Sequence, residues 1–99
     1  MSRIAILGAG SWGTALAIVL SRSSRKHDVW LWAREANHAQ SIWRSKENRK
    51  YLPTIPVPAS IRVTHSMGEA MRGASILIGA MPSTHARKVY SAAADAIAA

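Results

Sequence analysis

Ninety-nine residues, 48% hydrophobic and 18% charged, suit one small folded domain or a part of one, and exclude a disordered chain. The lack of cysteine excludes a disulfide scaffold, thiolate-bound zinc and thiol catalysis. No stretch reaches the roughly 18 uninterrupted apolar residues of a membrane-spanning helix. The net charge of +8 favours polyanionic partners: nucleic acid, an anionic membrane surface or phosphorylated small molecules.

Nine basic and three acidic residues stand up to Lys50, four and two after it, so the excess cation lies in the first half. It gathers at Arg22, Arg25, Lys26, Arg44, Lys46, Arg49 and Lys50. The opening residues imitate an export signal, with an apolar run and a small-residue site at Ala15-Leu-Ala17. Gly8, Gly10 and Gly13 break that run, and apolar residues resume at Ile18, so the segment reads as part of the fold.

Arg3 to Leu7 is short, apolar and bounded by glycine, as a strand buried on both faces of a parallel sheet would be. A helix follows over Thr14 to Leu20, with Trp12, Leu16, Val19 and Leu20 on its expected inner side. Ser21 to Lys26 is its exit and a loop. Asp28 to Trp32 is the second strand, and Glu35 to about Arg44 the second helix, with Ala36, Ala39, Ile42 and Trp43 as its apolar stripe. Pro53, Pro56 and Pro58 forbid a regular element between Ser45 and Ser60, which reads as an extended loop. Ile61 to Thr64 is a short strand. Ser66 and Glu69 have capping-box spacing and open a brief helix that ends near Gly73. Ala74 to Ala80 is the fourth strand, stopped by Pro82, and Thr84 to Ala99 is an alanine-rich last helix that Ser83 can cap.

The order βαβαβαβα specifies an α/β fold: a Rossmann-type parallel sheet of four βα units, incomplete against the usual six strands. The chain reads as the front part of a larger protein, residues 1–99 being a partial dinucleotide-binding domain whose last strand leaves an open apolar edge.

Gly8-Ala-Gly10-Ser-Trp-Gly13 is a G-x-G-x-x-G pattern between a strand and a helix. Gly8 makes the tight turn, Gly10 lets backbone approach a pyrophosphate, and Gly13 allows close helix–strand packing. The helix amino terminus then faces the phosphates. At the end of the second strand, where NAD sites carry an acid, stands Arg34, with Glu35 next. A guanidinium there grips a 2′-phosphate, so NADP is favoured, with NAD possible. His27, His38, His65 and His85 share no ligand spacing, and no metal site is read; His27 and His65 fall in turns and His85 on the surface. Trp30, Trp32 and Trp43 read as packing residues, and Arg44 to Lys50 as a solvated basic loop that helps draw in anions.

Gly8 to Ala17, Leu31-Trp-Ala-Arg34, Asn48-x-x-Tyr-Leu-Pro53 with Pro58, and Met81-Pro-Ser83 together resemble the amino-terminal part of bacterial NAD(P)-dependent glycerol-3-phosphate dehydrogenases. The resemblance implies that Ser11 and Trp12 contact the cofactor and that Arg34 lies at the adenosine ribose. Tyr51 to Pro53 would form a loop at the cleft, and Pro82-Ser83 would border the nicotinamide. Thr84 and Ala86 depart from the family pattern. The helical substrate domain, with the catalytic lysine, would lie beyond Ala99, so the chain alone is expected to be inactive. The implied enzyme is cytoplasmic, exchanges a hydride between NAD(P)H and dihydroxyacetone phosphate or glycerol 3-phosphate, and feeds glycerophospholipid synthesis. Two other readings compete. One is the Rossmann domain of a ketopantoate or hydroxyacid reductase, against which the Asn48 to Pro53 segment speaks. The other is a basic nucleic-acid-binding module, which would leave the glycine pattern unused.

Overall fold

In the computed structural model, residues 2–22, 27–80 and 91 are described. The first strand, β1 (Ser2–Leu7), has Ile4, Ala5, Ile6 and Leu7 all buried, which only a central strand covered on both faces allows. It lies between β2 (His27–Trp32) and β6 (Ile76–Gly79), and β5 (Arg62–Thr64) flanks β2. All three pairings are parallel, giving the order β5-β2-β1-β6. The expected α/β parallel sheet is therefore present, with its second and third strands, β2 and β5, laid to one side of β1 and the fourth, β6, to the other. Among the described residues β6 pairs with β1 alone, and Ile76 and Leu77 on it are exposed.

The period-two alternation of strands sorts the core into two layers. Ile4 and Ile6 of β1, with Val29 and Leu31 of β2, face helices α1 (Ser11–Ser21) and α2 (Ala36–Ser45). Ala5, Leu7 and Trp32 face the opposite side, where the short helix α3 (Met67–Met71) supplies Ala70 and Met71. Register matches size across the strands, since Ala5 stands beside Trp30 and Leu7 beside Trp32. Trp32 also donates its indole Nε1–H to the His65 carbonyl at 3.0 Å. Arg3 closes the far end of the sheet. It pairs with Asp28 at 3.1 Å, lies 4.5 Å from the Trp30 ring centre, and donates to the Arg72 carbonyl at 2.6 Å.

Three sequence expectations need correction. The inner face of α1 is Gly13, Thr14, Ala17 and Ile18; Trp12 and Val19 are exposed, and Leu16 and Leu20 half-buried. Gly13 and Ala17 allow close approach, Ile18 fills the core, Leu16 and Leu20 pack partly against it, and Trp12 and Val19 turn away. Residues 45–60 are not a structureless loop. Lys46 takes a left-handed conformation at the end of α2, and β3 (Glu47–Asn48) then pairs antiparallel with β4 (Leu52–Pro56). Prolines are tolerated because this is a separate two-stranded ribbon, where few donors are required. The hairpin is closed by Val57 N–H donating to the Lys46 carbonyl at 2.8 Å, with the Val57 side chain buried. The basic run is consequently a helix end and a hairpin. Within it, Lys46 Nζ sits 3.6 Å from the centre of the half-exposed Trp43 ring, so that tryptophan packs under a lysine and not in the core.

Smaller differences concern ends. His27 begins β2 instead of occupying a turn, whereas His65 does lie in the bend before α3. Ser66 caps α3 by accepting from Glu69 N–H at 3.2 Å, while its own N–H donates to Thr64 Oγ1 at 3.0 Å. The fourth helix, expected over 84–99, falls outside the described residues apart from Ser91.

Candidate functional site

The polypeptide leaves β1 through Gly8 and enters α1 at Ser11. Gly8 has φ 127°, a value that side chains disfavour, and its N–H donates to the Trp32 carbonyl at 3.0 Å. The turn thus folds back on the end of β2. Gly13 lies directly under this turn: a Cβ there would stand 1.8 Å from the Gly8 oxygen. Gly10 is the opposite case. Its φ of −83° suits any residue and a Cβ would meet nothing within 4 Å, so the space beside it is free for a ligand.

Gly10 is also the N-cap of α1, and no side chain caps it. The N–H groups of a helix's first turn lack intrahelical acceptors, and their partial positive charge favours an anion. No acidic residue occupies that turn. An uncapped helix start, a glycine with open space beside it and a strand end behind it together form a cradle for phosphate.

Two side chains from elsewhere hold the cradle from outside. Asn48 is fully buried, and its amide donates to the Ala9 carbonyl at 2.9 Å and to Thr14 Oγ1 at 2.7 Å. Its carbonyl oxygen accepts from Tyr51 N–H at 3.3 Å. Asn48 therefore spends one amide hydrogen on the turn and the other on the first part of α1, and joins both to the hairpin. His38 of α2 places Nε2 2.9 Å from the same Ala9 carbonyl and meets the Tyr51 ring edge-on, with centroids 5.4 Å apart.

A cleft of about 1070 Å³ opens where β1, β2 and β6 end, at the point where strand order reverses. Gly8, Gly10, Ser11 and Trp12 form one wall, with Trp12 itself 84% exposed. Leu16, Val19 and Ile78 give the cleft an apolar stretch, which accounts for the outward side of α1. Arg34, Glu35, His38, Lys50 and Tyr51 border the rest. Arg34 is exposed beyond the end of β2, where Ala33 N–H is tied to the Thr64 carbonyl at 2.8 Å. Lys50 Nζ lies 5.2 Å from the Tyr51 ring centre.

Of the sequence-predicted site residues, Gly8, Gly10, Ser11, Trp12, Arg34 and Tyr51 all line this one cleft, and Gly13 packs beneath it. Pro82 and its neighbour Ser83 lie outside the described residues. Sequence reasoning gave no role to His38 or to the Asn48 side chain, and Lys50 entered only as part of the basic run expected to draw in anions. Asn48 had a trace, standing at the head of the Asn-x-x-Tyr-Leu-Pro segment. His38 had none, because its contact spans 29 residues. Among the described residues no group of three or more histidine and acidic side chains could hold a metal, and no helix is long and apolar enough to cross a membrane.

Known proteins share this fold. Residues 3–99 match the family model described as the NAD-dependent glycerol-3-phosphate dehydrogenase N-terminus. The glycerol-3-phosphate dehydrogenase (NAD(P)+) of Koribacter versatilis is 47% identical over 91 residues, covering 92% of this chain and 27% of that protein. That of Bacillus pumilus is 41% identical over 97 residues, covering 98% and 28%. The crystal structure of the Coxiella burnetii glycerol-3-phosphate dehydrogenase superposes with a TM-score of 0.82 at 36% identity, over 90% of this chain and 27% of that one. The Dunaliella salina structure, at 24% identity and a TM-score of 0.85 over 96% of this chain and 21% of that one, shares the fold. The chain spans about a quarter of the length of the curated relatives it matches. By the family match over residues 3–99 and by these relatives, the chain belongs to the NAD-dependent glycerol-3-phosphate dehydrogenase family, in its amino-terminal region.

Proposed function

We propose that residues 1–99 form the cofactor-binding part of an oxidoreductase, and that the cleft takes NADP(H), with NAD(H) as second choice. The observation that carries this reading is the uncapped start of α1 beside Gly10, facing the same cleft as Arg34. A pyrophosphate fits the first-turn N–H groups, and the Arg34 guanidinium suits a ribose 2′-phosphate through charge-assisted hydrogen bonds. Glu35, bordering the same cleft, offers a carboxylate to a ribose hydroxyl when that phosphate is absent. Ser11, Trp12 and Tyr51 would contact the dinucleotide, and Pro82 would border its nicotinamide end.

The bound nicotinamide supplies the hydride, and the chain's residues hold and orient it. In the whole protein the substrates would be glycerol 3-phosphate and dihydroxyacetone phosphate, the first of them supported by the relatives' name, glycerol-3-phosphate dehydrogenase, and the setting would be cytoplasmic glycerolipid synthesis. The ketopantoate-type and nucleic-acid readings are not favoured by that membership. Calorimetric titration of the chain with NADPH, NADH and duplex DNA tests the proposal. Saturable NADPH binding tighter than NADH supports it; tight, steeply salt-dependent DNA binding without NADPH binding would reverse it.

A further inference from the structure

We infer that His38 is a positioning residue for the glycine-rich turn, acting through the Ala9 carbonyl; the inference rests on the cleft being a dinucleotide site. A carbonyl oxygen can only accept, so the 2.9 Å contact requires the proton on Nε2 of His38. The same oxygen accepts from Asn48 at 2.9 Å, so both of its lone pairs are engaged by side chains from two different elements. Ala9 stands between Gly8 at φ 127° and Gly10 with open space around its Cβ position. Neither neighbour restrains the turn by its own bulk, and restraint has to come from outside. Asn48 supplies it from the hairpin and His38 from α2, three residues after Glu35 at the border of the same cleft. The His38 ring also makes an edge contact with Tyr51, so one imidazole connects the phosphate cradle with the hairpin. Holding the turn before the ligand arrives lowers the ordering cost of binding.

Three replacements separate the hydrogen bond from the ring. In His38→Gln, the amide Nε2 lies the same number of bonds from Cα as the imidazole Nε2. In His38→Asn the donor falls one bond short. In His38→Phe the edge contact with Tyr51 stays and the donor goes. Two readouts are needed: amide hydrogen exchange of the unliganded chain by NMR, and NADPH affinity. Gly8 and Thr14 N–H, bonded to Trp32 and Gly10 carbonyls on either side of Ala9, report the turn. Both should exchange several-fold faster in the Asn and Phe variants and at the parental rate in Gln. NADPH should bind about 2- to 12-fold more weakly to Asn and Phe, the range of one neutral hydrogen bond, and within about twofold of parent to Gln. The inference is overturned by Phe matching the parent, by Gln matching Asn, or by equal loss of protection across β1, which would locate the effect in the fold. Should the parent bind no NADPH, the cofactor reading falls, while the exchange pattern still decides whether His38 holds the turn.

Discussion

Replacing Gly13 with alanine puts the packing of α1 on the turn to a direct test. The new Cβ would lie 1.8 Å from the Gly8 carbonyl oxygen, 3.0 Å from its carbon and 3.3 Å from Ala80 Cβ. To bring the first contact to 3.0 Å, α1 or the turn must retreat by about 1.2 Å. The obstructing atom is backbone, and its residue is tied to Trp32 through the Gly8 N–H, so no rotamer change relieves it. Overpacking costs about 1–3 kcal/mol, and a backbone obstacle belongs at about 3. Alanine in a helix recovers about 1 kcal/mol relative to glycine, leaving a loss of about 2. For a domain of this size that is about 8–16 °C in Tm, read by circular dichroism. A Gly13→Ala chain melting at or above the parental temperature would refute the close approach.

Gly10→Ser should behave in the opposite way: serine is a good N-cap and meets nothing here, so Tm stays or rises, while NADPH affinity measured by calorimetry falls at least about tenfold as the side chain enters the phosphate space. Arg34→Asp should weaken NADPH by about one to two decades, from about 1.5–3 kcal/mol of lost charge-assisted bonding, and NADH far less; equal losses would show that Arg34 does not read the 2′-phosphate. Asn48→Asp removes both donors at a fully buried position and sets a carboxylate against the Ala9 and Thr14 oxygens, so urea unfolding should show a loss of at least about 3 kcal/mol.

The parallel sheet was legible because its strands carry their own evidence: a central strand buried on both faces needs four adjacent apolar residues, and Ile4 to Leu7 are those residues. The glycine turn was legible because each glycine answers a separate steric demand. What misled was α1, where hydrophobic spacing grouped Trp12, Leu16, Val19 and Leu20, of which Leu16 and Leu20 pack partly against the core while Trp12 and Val19 are exposed. Small residues at Gly13 and Ala17 decided the matter, since the distance between helix and sheet, invisible in a linear pattern, ranks size above hydrophobicity. Prolines hid the hairpin, because exclusion from a central strand says nothing against a two-stranded ribbon. Of the site, Arg34 and Tyr51 were readable from position in the βαβ unit and from the family motif. The grip of His38 and Asn48 on the Ala9 carbonyl depends on contacts across 29 and 39 residues, which no local signal encodes.

The central claim is that the turn from Gly8 to Gly13 and the end of β2 make one dinucleotide site, and NMR titration of the labelled chain with NADPH tests it most directly. Saturable shifts should appear at the amides of Gly10, Ser11, Trp12 and Gly13, at Arg34 and at Tyr51, with α3 and Ile61 to Thr64 unmoved. Adding adenosine 2′-monophosphate, which has no 5′-phosphate, should move Arg34 while leaving the Ser11 to Gly13 amides nearly in place. No saturable shift at millimolar NADPH, or shifts centred away from the first turn of α1, would contradict the claim.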